Sequence, residues 1–320
     1  VPEGSYATEP DGVARIREFR EMVQALNGTG LRVVMDVVYN HTHASGRNRG
    51  SVLDQIVPGY YQRLNADGAV ETSTCCANTA TEHRMMERLM IDSVLTWATD
   101  YRVDGFRFDL MGHHSRDTMI KLRAALDGLT LEDDGVDGRA LVLYGEGWNF
   151  GEVADDARFV QARQGTLAHT GIGTFSDRLR DGARGGLYDA PPSTQGFLNG
   201  LGTDPTDFTL EYGPGPETLR LWTDWIRVGL SGDLADYRFV TADGVERAGS
   251  EVDYNGSPAA YTAMPAENIS YVAAHDNETL FDANQLKLPR DTSMADRVRV
   301  QTLANALVAE GGDAPIDWKR

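Results

Sequence analysis

Val103 to Asp109 reads as a strand that ends in a charged pair, and Leu31 to His41, Ala140 to Glu146 and Ile269 to Asn277 are largely apolar runs that end in polar or charged residues. Runs of this kind are strands covered on both faces, which belong to parallel sheets. Helical periods fill the intervals. Val13, Ile16, Phe19, Met22, Val23 and Leu26 set a helix over Asp11 to Asn27, with Gly28 where a C-terminal cap belongs. Thr79 to Glu82 has the form of a capping box, and Met85, Met86, Leu89, Met90, Leu95 and Trp97 continue a helix whose methionines read as core filler. Further helices are predicted from about Asp117 to Leu126, from Glu217 to Leu230, and from Ser293 to Glu310, the last aligned on Val298, Leu303, Ala306 and Leu307. Strand, loop and helix repeating without hairpin signals predict an α/β fold with a parallel sheet. Ligands in such folds bind at the C-terminal ends of the strands.

The polar residues gathered at those ends are therefore the candidate site. On Val103 to Leu110, side chains alternate, so Arg107 and Asp109 share a face. A guanidinium beside a carboxylate keeps it ionised and fixes its orientation, as a nucleophile requires, although a structural ion pair has the same appearance. Val142, Tyr144 and Glu146 share a face of the next strand. Gly145 and Gly147 leave room for a group to approach Glu146, and Trp148 is its expected wall. That setting favours the neutral carboxyl and suits a proton donor. Asn40 and His41, and His275, Asp276 and Asn277, occupy the remaining strand ends. Three carboxylates with two histidines and an arginine at one rim point to acid/base and covalent chemistry at an acetal centre.

Other features narrow the field. The net charge of −18 argues against nucleic acid or an anionic membrane as partner, and no apolar run has the length of a membrane span. A length of 320 residues fits one α/β barrel with insertions. Cys75 and Cys76 are the only cysteines and are adjacent, so no ordinary disulfide framework exists, and the redox compartment stays open. His113 and His114 are neighbours whose side chains point apart on an extended chain, with no further ligand spacing; no metal or cofactor is expected. From Thr42 to Asn78 no period is visible, and a loop of that length is commonly functional. Tyr60 and Tyr61 within it suit stacking on sugar rings and equally suit a small local core.

Taken together, Asp-Val-Val-Tyr-Asn-His (36 to 41), Gly-Phe-Arg-Phe-Asp (105 to 109), Gly-Glu-Gly-Trp (145 to 148) and Ala-His-Asp-Asn (274 to 277) resemble, in order, the four signature regions of the α-amylase superfamily, glycoside hydrolase family 13. Within it, Val1 to Tyr6, Ser73 to Cys76, Phe106 to His114 and Gly173 to Arg178 resemble bacterial pullulanases and limit dextrinases. The resemblance implies Asp109 as nucleophile, Glu146 as acid/base and Asp276 as the residue that holds and distorts the sugar. It implies His41, Arg107 and His275 as contacts at the same subsite, with Tyr39, Asn40, Trp148, Tyr60 and Asn277 completing the substrate-binding set. Asp36 supports the rim from below or is purely structural.

The implied fold is a (β/α)8 TIM barrel, present here as one partial catalytic domain over 1–320 with a loop insertion at about 42–78. Strands three to seven are matched, with Gly171 to Asp177 as the sixth, while strands one, two and eight appear missing. A barrel cut in this way is expected to expose two sheet edges and to be aggregation-prone in isolation. The implied reaction is retaining hydrolysis of α-1,6-glucosidic branch links in pullulan, limit dextrins or related α-glucans. An α-1,4-glucan hydrolase and an inactive glucan-binding fragment are the alternatives. The expected partner is an α-glucan, and the family resemblance points to an extracellular or cell-surface setting.

Overall fold

The computed structural model describes residues 7–311, so the Val1 to Tyr6 motif and the closing stretch 312–320, where no apolar eighth strand is legible, lie outside the described residues. The chain divides at Thr166 into two compact units, each α/β in character.

The first unit is built on three parallel strands, β1 (Val34–Val37), β4 (Gly105–Phe108) and β5 (Val142–Gly145), with β4 in the middle. Two short strands intervene in sequence: β2 (His41–Thr42) and β3 (Ala77–Asn78) form an antiparallel pair. The register sets Asp36 beside Arg107 and Arg107 beside Tyr144, so side chains two strands apart share one face. Phe106, Phe108 and Leu143 are buried, as are Met86, Met90, Val94, Met119 and Leu122 on the helices Arg84–Tyr101 and Arg116–Asp127. The methionines at 86 and 90 are core, as their spacing implies, whereas Met85 is 45% exposed.

Several boundaries differ from the sequence reading. Gly28 is the last residue of its helix, and the cap is Thr29, followed by Gly30 at a positive φ of 85°. Thr79 to Glu82 is no capping box. The helix begins after His83, while the Thr79 hydroxyl donates to Tyr39 O and the Thr81 hydroxyl meets His114 Nδ1. These threonines serve tertiary contacts that local spacing does not reveal. The segment 42–78 is likewise more ordered than its composition implies. The β2–β3 pair closes its base, a helical turn spans Leu53–Ile56, and Gln62 and Arg63 are buried within it.

In the second unit β6 (Gly173–Ser176) pairs in parallel with a strand at Asn268–Ser270, which closes the series below as β11. The helices Asp177–Arg184 and Pro216–Leu230 pack together, and Leu179, Ala183 and Ile226 share a core cluster with Leu198, Val272, Leu280 and Ala304. The expectation of no hairpins fails here. β7 (Arg238–Val240) and β8 (Glu246–Ala248) are antiparallel, as are β9 (Asp253–Tyr254) and β10 (Ser257–Pro258). Asn255 and Gly256 join the second pair with φ of 51° and 83°, the left-handed pair of angles that an Asn-Gly hairpin turn adopts. That signal stands in the sequence. The helix Met294–Glu310 turns Arg297 and Ala304 inward, with Leu307 partly buried, while Val298 and Leu303 are about half exposed, so its predicted alignment is only partly right.

Gly145 illustrates how tightly β4 and β5 meet. A Cβ there would lie 2.5 Å from Phe108 O and 2.8 Å from Met111 Cβ. The residue therefore serves strand packing. Gly145→Ala is expected to lower stability by about 1–3 kcal/mol. Gly28→Ala, at a helix end with open space around it, is expected to be neutral or stabilising by up to about 1 kcal/mol. Paired denaturant curves check the contrast, and equal effects would contradict this packing.

Candidate active site

The first unit delivers its charged residues to one rim through the strand register. Arg107 is buried, and its Nη1 donates to Asp36 Oδ1 at 2.8 Å and to Asp109 Oδ1 at 3.0 Å, while Nη2 donates to Glu146 Oε1. Burial opposes the charge on Arg107, but the neighbouring Glu146 and the hydrogen bonds Arg107 donates to Asp36 and Asp109 outweigh it and raise the guanidinium's pKa. A single cation thus organises three carboxylates.

Beyond β4 the chain makes an abrupt turn. Leu110 takes a left-handed conformation, φ 41° and ψ 49°, which a branched non-glycine residue adopts only when its surroundings enforce it. The turn aims the Leu110 N–H at Glu146 Oε2, 2.9 Å away. Gly112 follows, and its lack of a side chain lets the Trp148 carbonyl pack where a Cβ would come within 2.1 Å. The loops after Asp109 and Glu146 are therefore locked together. An oxygen of Asp109 and one of Glu146 lie within 4.8 Å of each other.

Glu146 is 3% exposed, as removal from water requires. Arg107 Nη2 and the Leu110 N–H both donate to it. Neither donor is visible from local sequence.

Asn40 is fully buried and donates through Nδ2 to Asp109 O at 2.8 Å and to Asp109 Oδ2 at 3.0 Å. Its Oδ1 meets His41 Nδ1 at 2.6 Å. Asn40 therefore fixes both the nucleophile candidate and the imidazole. His41 Nε2 lies 3.5 Å from Cys75 Sγ, and Cys75 is joined to Cys76 in a disulfide between neighbours. His41 and the two cysteines lie close enough to hold an ion, but the disulfide leaves no thiolate to bind one.

The remaining candidates are placed as follows. Tyr39 packs its ring on Phe108 and bonds its hydroxyl to Ser93, contacts of the fold interior. Trp148 is half-buried in the loop after Glu146. Tyr60 stacks edge-on with Tyr61 and contacts His83, forming a small aromatic cluster at the start of the helix Arg84–Tyr101. His113 and His114 are buried, and burial pushes them down to about 4 and about 3, so both are neutral near pH 7. In the second unit, β11 ends at Ser270, and His275, Asp276 and Asn277 lie in the loop beyond it. His275 Nε2 is 3.1 Å from Asp276 Oδ1, and both side chains are about half exposed.

Asp109 and Glu146 thus lie at the ends of neighbouring parallel strands and are joined by one arginine. The chain is 51% identical over 314 residues to Pullulanase 1, chloroplastic, of Arabidopsis thaliana, covering 97% of this chain and 32% of that protein. It is 44% identical over 324 residues to pullulanase of Klebsiella pneumoniae, covering 99% and 28%. The crystal structure of Klebsiella pneumoniae pullulanase complexed with maltotriose superposes with a TM-score of 0.88 at 44% identity, covering 96% of this chain and 29% of that one. No family model matches. The chain thus spans about a third of the relatives it matches, and these likenesses, bacterial and plant alike, support a pullulanase-type debranching enzyme of glycoside hydrolase family 13 as its family.

Arg107→Lys tests whether the arginine organises the rim. A lysine keeps the charge but cannot span Asp36, Asp109 and Glu146 at once. Turnover is expected to fall on the order of 100-fold while the protein stays folded. A variant with full activity would make the arginine a purely structural ion-pair partner.

Proposed function

We propose that this chain carries catalytic machinery for hydrolysing α-1,6-glucosidic branch linkages in pullulan, limit dextrins or related α-glucans, with retention of configuration. The observation that carries the reading is the pair of carboxylates, Asp109 and Glu146, with oxygens within 4.8 Å and one guanidinium between them. Retaining glycosidases place their two carboxyl groups about 5–5.5 Å apart, whereas inverting ones need about 6.5 Å or more to admit a water.

In this reading Asp109 attacks the anomeric carbon while Glu146 gives its proton to the departing O6 of the branch point. The C1–O6 bond breaks, and the sugar becomes an ester of Asp109. Water then attacks C1, Glu146 takes its proton, and Asp109 leaves as the carboxylate. Glu146 must hold a proton at the start, so Arg107 has to concentrate its hydrogen bonds on Asp109 and Asp36 when substrate is bound. Asn40 holds Asp109 in place for attack, and His41 meets the sugar hydroxyls. Asp276 and His275 are assigned to holding the same sugar by the family motif in which they stand. Trp148, Tyr60, Tyr39 and Asn277 are proposed substrate contacts on the same ground. The parallel strands are read as barrel strands three to seven of one partial (β/α)8 domain over 1–320.

The substrate class rests on the pullulanases to which the chain is similar. Their α-1,6 preference is carried to this chain as part of the proposal, with α-1,4 cleavage and binding without turnover as the outcomes against it. In the protein that carries this chain, pullulan is expected to yield maltotriose. Asp109→Asn is expected to abolish turnover on every substrate, because no other group forms the ester. Glu146→Gln is expected to impair natural glucans far more than substrates whose leaving group needs no proton. Equal losses on both would remove Glu146 from the acid role, and products other than maltotriose would sink the linkage assignment.

A further inference from the structure

The loop after Glu146 does not stop at Trp148. It runs on to Gly151 and Glu152, where it meets the segment 63–78 in a buried polar junction. The Glu152 side chain is 7% exposed and accepts from Arg63 Nη1 at 2.9 Å, from Asn78 Nδ2 at 3.0 and 3.2 Å, and from the Ser73 hydroxyl. Arg63, only 2% exposed, also forks onto Glu82 with bonds of 3.0 and 2.8 Å and donates to His113 O at 2.9 Å. Three separate segments therefore converge on one guanidinium. The approach is close: Gly151 has a φ of 74°, and a Cβ there would sit 2.4 Å from Ser73 Oγ. Burial opposes the charge on Glu152, but the donors from Ser73, Arg63 and Asn78 prevail and push it down to about 2, so it is an anion across the working range of pH.

What makes this junction more than a fold contact is where it leads. Asn78 is the ladder partner of His41, and His41 is bonded through its Nδ1 to Asn40, which in turn holds Asp109. The same carboxylate thus grips the loop that carries Glu146 and the strand that backs His41. The signal is weak in sequence, because a glutamate six residues beyond Glu146 in an acidic stretch reads as solvated surface.

We propose that Glu152 is a positioning residue for the hydrolysis, coupling the Glu146 loop to the His41–Asn40–Asp109 wall so that nucleophile, imidazole and acid keep their mutual geometry. This rests on the reading of Asp109 and Glu146 as the reacting pair. Glu152 itself reaches no substrate in this scheme. A carboxylate is needed because its surroundings are all donors: an amide in its place would turn an NH2 toward Arg63, Asn78 or Ser73 and leave Arg63 short of one counter-charge.

Glu152→Gln and the milder Ser73→Ala, at an exposed position, are made in the protein that carries this chain and assayed on pullulan. Glu152→Gln is expected to lower kcat about 10- to 100-fold with KM changed less than about threefold, since misplacement by a fraction of an ångström harms the transition state more than ground-state binding. Ser73→Ala is expected to lower kcat about three- to tenfold, one hydrogen bond being lost. Independently of turnover, the His41 imidazole signals in NMR spectra are expected to move in Glu152→Gln. Folded variants with wild-type kcat, a lower Tm as the only change, or unmoved His41 signals would each overturn the proposal. Should the wild type fail to cleave pullulan, the functional reading falls, and the His41 signals alone then decide whether the coupling exists.

Discussion

Arg107 sits where three carboxylates would otherwise repel one another, and the strands around it are arranged so that each presents its acid to the same guanidinium. The parallel register places Asp36 directly beside it, and the turn after β4 carries Asp109 round to its Nη1. Glu146, from the neighbouring strand, reaches its Nη2. Carboxylates this close stay charged together only with an opposite charge among them. Removing the arginine would leave the three carboxylates without the cation they share.

The backbone around this centre is shaped for the same end. Leu110 holds a left-handed conformation that places its N–H on Glu146, and Gly112 and Gly145 allow approaches that any side chain would block. Such local strain persists only where the surroundings over-determine it. Here they do: Phe106, Phe108 and Met111 are fully buried beneath the turn, and Asn40 pins Asp109 from the other side. The segment 42–78 joins the same framework through the disulfide turn beside His41 and the Arg63 junction.

Much of the candidate site is legible from alternation alone. Arg107 and Asp109 on one face, Glu146 at the end of the next strand, and Asn40 and His41 just beyond β1 follow from strand period and strand-end chemistry. The helices are found nearly to the residue where caps are local, as at Asp11, Ser115 and Ser293, each of which accepts a backbone N–H. Misreadings arise where a residue answers to a distant partner. Thr79 and Thr81 bond to Tyr39 and His114 instead of capping a helix, and Gly145 makes room for β4, which its neighbours in sequence do not announce. The Asn255-Gly256 hairpin is a different case, since its signal is local and strong but lies in a stretch whose flanking strands are only two residues long.

The account's central claim is that Asp109 is the group that bonds to the sugar, and labelling tests it most directly. A fluorinated α-glucosyl fluoride that forms the ester readily and releases it slowly would be incubated with the protein, followed by digestion and mass spectrometry of the peptides. The account predicts one glycosyl adduct, on the peptide containing Asp109. An adduct on Asp36, Glu146 or Asp276, or hydrolysis that proceeds with no adduct and with inverted products, would contradict it.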